Sequence, residues 1–421
     1  MKFGPTGCAK GATLRLLCAL CAVLLVLAPD AAPAADPIKI GFSVQLTGGL
    51  ASAGKANLLG QQIWLEEINA KGGLLGRPVQ LVYYDDQTNT GSVPGLYAKL
   101  IDVDKVDILM GAATNIIVAA MPLIMERKKL VMALVALAIN DTFNYPRYFH
   151  NLPFGPDGKA QFSTDFFEIA KSLNPKPQTI ALVGADAEFS NNALIGAREN
   201  AKKQGLKIVY DKSYPPTNVD FAPVVRAIQA ANPDIVFVAS YPIDSVGMIR
   251  SAQEVGLKVA LFGGAMVGTQ FAGIKTQLGD KLNGVVSYEM YTPSKKMAYP
   301  GLAEFLKKYQ AKAKDLGTDL LGYYQPPYSY AAMQILEQAI IATGTVDNDK
   351  LAQYIHKTTF KTIVGDVKFD ARGEWEKTRL LTVQFRGLKG NDLEQFTKEG
   401  TETVLWPPEY KNGDLQFPFA K

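Results

Sequence analysis

The chain has 421 residues, of which 48% are hydrophobic and 20% charged, and its formal net charge is +4. That length exceeds what one hydrophobic core usually serves, so two domains are expected, in a globular rather than a disordered or membrane-embedded protein. So small a positive excess argues against a nucleic-acid partner, which needs a clustered basic face.

The chain opens on Lys2, Lys10 and Arg15, then the apolar run Leu16 to Ala28, then the small residues Ala31, Ala32, Pro33, Ala34 and Ala35. A charged start, a short apolar middle and a small-residue end are what a secretory signal peptide requires, and the run is too short to span a bilayer comfortably. Residues 1–35 are therefore read as a cleaved export signal, which makes the protein periplasmic. All three cysteines, Cys8, Cys18 and Cys21, leave with it. The exported chain then has no disulfide and no thiolate nucleophile or ligand.

Short β-rich runs next alternate with helical stretches. Ile38–Val44 reads as a first strand, followed by a Thr47-Gly48-Gly49 turn and a helix with Leu58, Leu59, Ile63, Leu65 and Ile68 at helical spacing. Val79–Tyr84 and Val106–Met110 are the second and third strands, and the apolar run Leu130–Ile139 reads as a fourth, buried on both faces. After Pro175-Lys176-Pro177 the alternation restarts. Strands are expected at 179–184, 206–210 and 235–239, and helices follow them up to Gly205, over 221–231 and up to Gly256. Two consecutive βαβα series imply an α/β protein of two Rossmann-like lobes, each a parallel sheet flanked by helices.

In such sheets ligands sit outside the carboxyl ends of the strands. That rule selects Leu46 and Thr47, Thr114 and Asn115 in the first lobe. In the second it selects Asp186 to Phe189, Ser240 and Tyr241, and Ala265 and Met266. Two lobes presenting these edges to one cleft would make a common ligand site.

Nothing catalytic competes with that reading. The two histidines, His150 and His356, lack metal-ligand spacing, and no nucleophile elbow is present. Asp85 and Asp86 are adjacent and read as turn residues rather than an acid/base pair. Gly49 to Lys55 approaches a phosphate-binding loop, but Ala56 stands where a Mg²⁺-ligating hydroxyl is needed. No enzyme activity, cofactor or metal is expected.

Several stretches, in order, resemble the opening and body of the periplasmic leucine/isoleucine/valine-binding protein family. They are Ile38–Val44, Leu46-Thr47-Gly48, the run from Ile68 to Val79, Asp85-Asp86-Gln87, Ala231 to Val236, and Gly365 to Gly373. The resemblance implies a type I periplasmic-binding fold whose lobes are joined by three hinge crossings. Residues 36–153 plus 288–374 would form the N-terminal lobe, and 154–287 plus 375–421 the C-terminal lobe. It also implies a monomer that closes on a small molecule and delivers it to an inner-membrane ABC permease.

Carried over by position, the family's carboxylate-holding serine falls on Asn115, beside Thr114. Its Ala-Ala-Thr segment falls on Val135-Ala136-Leu137, its aromatic wall on Phe189 and Tyr241, and the acid that holds a ligand ammonium on Ala265, next to Met266. The expected ligand is a hydrophobic amino acid of the branched-chain type or a related carboxylate. The alternatives are an aromatic or aliphatic carboxylic acid without an amine, or a ligand-sensing module of the same fold. A loss of the acid matters because an ammonium buried without a partner costs several kcal/mol or more.

Overall fold

The computed structural model describes residues 1–4 and 35–419. The predicted export signal, with its cysteines, lies outside the described residues apart from its two ends. Strand β1 (Ile38–Val44) is buried at almost every position, as an apolar run in the middle of a parallel sheet must be. It is followed by helix α1 (Ala51–Ala70), β2 (Val79–Asp85), β3 (Ile108–Gly111), α2 (Thr114–Glu126), β4 (Val131–Ala133) and β5 (Tyr148–His150). These strands form an all-parallel sheet in the order β2-β1-β3-β4-β5, with Ile38 opposite Val79.

The long strand expected over Leu130–Ile139 is cut to three residues. Past Ala133, Leu134 donates its N–H to Gly111, and Ala138 adopts a left-handed φ of 55°. Leu134, Leu137 and Ile139 are nonetheless buried. An apolar run reports burial; whether it is extended depends on a partner strand, and β5 offers only three residues.

The second half begins with α3 (Gly158–Ala170) and continues through β6 (Thr179–Ala185), α4 (Glu188–Lys203), β7 (Lys207–Tyr214), β8 (Ile235–Ser240), α5 (Pro242–Val255), β9 (Leu261–Met266), α6 (Ala272–Leu278) and β10 (Val286–Glu289). After α7 (Pro326–Thr343), α8 (Asn348–Lys357) and the small hairpin β11 (Phe360–Thr362) and β12 (Gly365–Val367), strands β13 (Leu381–Phe385) and β14 (Glu402–Trp406) complete the sheet. Its order is β14-β13-β10-β9-β8-β6-β7. β6 to β10 are parallel, but β13 runs antiparallel to β10 and β14 antiparallel to β13. The wholly parallel second sheet expected from the sequence is thus corrected at one edge. There the chain returns from the other lobe without a crossover helix, so parallel pairing is not required.

Helices α3 and α4 approach closely at Gly196, where an added Cβ would stand 1.8 Å from the Lys159 carbonyl oxygen. Backbone cannot yield as a flexible side chain does. Gly196→Ala is expected to cost about 1–3 kcal/mol, read as a lowered midpoint in urea denaturation.

α7 and α8 return to the first sheet. Trp64 of α1 donates to Glu337 of α7 at 2.8 Å, and Asn348 Oδ1 accepts the Leu130 N–H at 2.6 Å. The chain therefore passes from the first sheet to the second between β5 and β6, comes back to the first with α7 and α8 after β10, and rejoins the second at β13. β10 remains in the second sheet through Glu289. The first and last of these connections are tied together and to α7. Asn151 donates to the Tyr328 carbonyl and accepts from Trp375 Nε1, and Arg379 N–H donates to Pro153. Buried His150 lies between the first and third: its Nδ1 is 2.7 Å from Glu374, and its Nε2 accepts the Ala136 N–H. That makes it a structural residue with both ring nitrogens occupied.

Candidate functional site

In the first sheet the chain steps from β1 to β2 on one side and then to β3 on the other. In the second it steps from β6 to β7 and then to β8. Each reversal opens a crevice at the carboxyl ends of the strands, and the two crevices face each other. Gln45 after β1, Ala112 to Asn115 after β3 and Val135 after β4 form one wall of a cavity of about 40 Å³. Phe189 after β6, Tyr241 after β8 and Val267 after β9 form the other, with Leu50 and Ala53 at the start of α1 and Tyr324 and Gln325 before α7. Ordinary ligand pockets begin near roughly 300 Å³, so this cavity is small, with side chains that follow the strands of the two sheets meeting across it.

The two walls meet in specific contacts. Tyr241 donates its hydroxyl to Asn115 Oδ1 across the cleft at 2.9 Å, and the Phe189 N–H points to the Tyr241 oxygen at 3.3 Å. The Phe189 and Tyr241 rings meet edge-on with centroids 5.8 Å apart. Asn192 of α4 reaches the Leu137 carbonyl at 3.1 Å. Tyr288 of β10 pairs with Tyr324 at 2.9 Å. Burial pushes the Tyr241 phenol up to about 12, so it stays a hydrogen-bond donor at neutral pH. Burial also lifts the nearby Asp244 carboxyl to about 6, against the Tyr214 hydroxyl that bonds it.

Asn115 and Thr114 are set by the backbone before them. Ala113 holds a left-handed φ of 71°, a conformation that costs a non-glycine residue of order 1 kcal/mol. The N–H groups of Ile116 and Ile117 return to Ala113, whereas those of Thr114 and Asn115 make no backbone hydrogen bond among the described residues. Thr114 Oγ1 accepts the Leu137 N–H at 3.2 Å.

Of the residues selected from the sequence, Thr114, Asn115, Phe189 and Tyr241 come together on the cavity wall. Leu46, Thr47, Ala136, Ala265 and Met266 do not. Leu46 and Thr47 turn outward onto Asp85, with Thr47 Oγ1 2.7 Å from Asp85 Oδ2. Gln45 faces the cavity in their place. Ala136 points into the core of its own lobe, its N–H on His150 and its carbonyl on Tyr148, so that Val135 faces the cleft. Ala265 and Met266 still belong to β9, where they pair with Ala239 and Ser240 of β8 and are fully buried; the first residue beyond the strand is Val267.

Each of these displacements is one or two residues, the uncertainty of a strand end read from hydropathy. Tyr324 and Gln325 belong to the aromatic stretch Tyr323 to Tyr330, which leads into α7. They stand just before the helix and also line the cavity. Asp86, expected in a turn, is buried and accepts hydrogen bonds from Ser43 and Gln45; it holds Gln45 in place.

Comparison with known proteins agrees with this architecture. A family model of periplasmic binding proteins matches residues 37–383. Leu/Ile/Val-binding protein homolog 7 of Brucella melitensis is 30% identical over 375 residues, covering 85% of this chain and 91% of that protein. A branched-chain amino acid transporter substrate-binding protein from Streptococcus pneumoniae, solved with isoleucine, superposes with a TM-score of 0.71 at 18% identity, over 84% of this chain and 98% of its own. An ABC transporter solute-binding protein from Rhodopseudomonas palustris, solved with benzoate, gives 0.72 at 18% identity, over 88% and 95%.

Proposed function

The chain belongs to the periplasmic binding protein family, and we propose that it is the extracytoplasmic solute-binding component of an ABC importer. In this reading two lobes, divided near residues 153, 288 and 374, close on a small hydrophobic carboxylate, and the closed form docks on an inner-membrane permease. The observation that carries the reading is the meeting of Tyr241 and Asn115 from opposite lobes over an otherwise largely apolar cavity. A ligand entering between them exchanges that single contact for contacts to both walls. Closure driven this way needs more interaction in the closed state than in the open one, which a bridging ligand supplies. The basic, then apolar, then small-residue start of the chain supports export to the periplasm.

A thermal-shift screen over amino acids, aromatic acids and aliphatic acids identifies the solute, because a ligand bound only by the folded state raises the melting temperature. Titration calorimetry with that solute is then expected to show Asn115→Ala and Tyr241→Ala each weakening binding by about 10-fold or more, the loss of one hydrogen bond to a charged group. Unchanged affinity in both variants overturns the site.

A further inference from the structure

We propose that the ligand is a compact hydrophobic carboxylate that lacks an amino group, its anion held by the start of α2 and by Thr114 and Asn115; this rests on the solute-binding reading above.

The cavity wall contains neither an acidic nor a basic side chain. Leu50, Ala53, Val135 and Val267 make it apolar, and its polar groups are hydroxyls and amides. An ammonium enclosed there has no counterion, and burying an unpaired charge is among the most costly things a site can do. The acids that come near are committed elsewhere. Asp86 accepts from Ser43 and Gln45 on one oxygen and from the Thr88 N–H on the other. Asp244 accepts the Tyr214 hydroxyl at 2.6 Å, and Glu188 faces Asn192 at 3.5 Å. None of the three lines the cavity.

An anion meets the opposite situation. The free Thr114 and Asn115 N–H groups lie at the positive end of a 13-residue helix. Thr114 is 2% exposed. Its oxygen is occupied by the Leu137 N–H, while its hydroxyl proton has no acceptor among the described residues. Asn115 has its oxygen bound by Tyr241, and its NH₂ has no hydrogen-bond partner among the described residues. Thr114 and Asn115 thus bring unpaired donors to the cavity wall, which the rings of Phe189, Tyr241 and Tyr324 also line.

Calorimetric titration with matched probes tests this: isocaproate against L-leucine, hydrocinnamate against L-phenylalanine, and benzoate against benzamide. The expected result is that at least one amine-free acid binds, at about 100-fold or more lower Kd than its amino acid or amide counterpart. An amino acid that binds as tightly as its deaminated partner overturns the proposal and leaves the solute-binding reading standing. Benzamide matching benzoate overturns the role of the anion. Silence from every probe overturns the carboxylate-binding reading on which the proposal rests.

Discussion

Lys275→Met is expected to destabilise the protein by about 3–5 kcal/mol at neutral pH, the usual consequence of removing one partner from a buried ionic cluster. Lys275 of α6 is fully buried, with Nζ 2.9 Å from Glu289 of β10 and in contact with Glu402 of β14. The cluster therefore ties a helix to a central strand and to the antiparallel edge strand. Burial pulls the lysine toward its neutral form, but Glu289 and Glu402 outweigh it and hold the ammonium above its usual range. Burial raises both carboxyls, with Lys275 opposing. Glu289 Oε2 and Glu402 Oε2 have no hydrogen-bond partner among the described residues, so nothing else is placed to compensate them.

The pH dependence follows from the direction of those shifts. A carboxyl whose folded-state pKa is raised favours the protonated folded form, so its contribution is lost as pH rises through the folded value. Without Lys275 both carboxyls rise further. The variant's deficit is therefore expected to be largest near pH 8 and to shrink toward pH 5, as the folded state takes up the protons. Urea denaturation of wild type and variant at both pH values measures this. A deficit that grows on acidification contradicts the charge account. The triple variant Lys275→Met, Glu289→Gln, Glu402→Gln is expected to recover much of the loss.

Phe162→Ala is expected to cost about 3–5 kcal/mol and also to weaken ligand binding. Phe162 sits on α3 with its ring against Phe154 at 4.9 Å, Tyr288 at 5.0 Å and Phe189 at 5.4 Å. Those three belong to the first crossing, the end of β10 and the cleft wall. One buried ring therefore backs both the connection between the two sheets and the residue that supports Tyr241. Phe166→Ala is the control. Phe166 packs on Phe167 and Phe237, away from the cleft. It is expected to lose comparable stability while the affinity per folded molecule stays near wild type. If Phe162→Ala loses stability alone, Phe189 does not depend on it for its position.

Much of the architecture was legible in the chain because it rests on local signals. The apolar runs at 38–44, 179–184 and 235–239 and the helix stops at Gly205 and Gly256 recur in the structure within a residue or so. Burial periodicity and glycine C-caps are properties of short windows. The switch-point rule then brought Thr114, Asn115, Phe189 and Tyr241 to one cleft from sequence alone. The sequence also held the signs of the family, but it placed the position of the ligand-facing acid on Ala265, which lies inside β9 and not on the cavity wall.

What only the tertiary structure decided depends on partners far away in the chain. Leu130–Ile139 is apolar throughout, yet just three residues of it pair as strand, because ladder length is set by the neighbouring strand. Val135 rather than Ala136, and Val267 rather than Met266, face the cavity, because side-chain direction alternates and a one-residue shift turns the other side inward. Glu289 and Glu402 become a cluster with Lys275 across up to 127 residues of sequence. The crossing of Tyr241 to Asn115 spans 126. No local pattern records such pairings, since they exist only once the two sheets have been folded and set face to face.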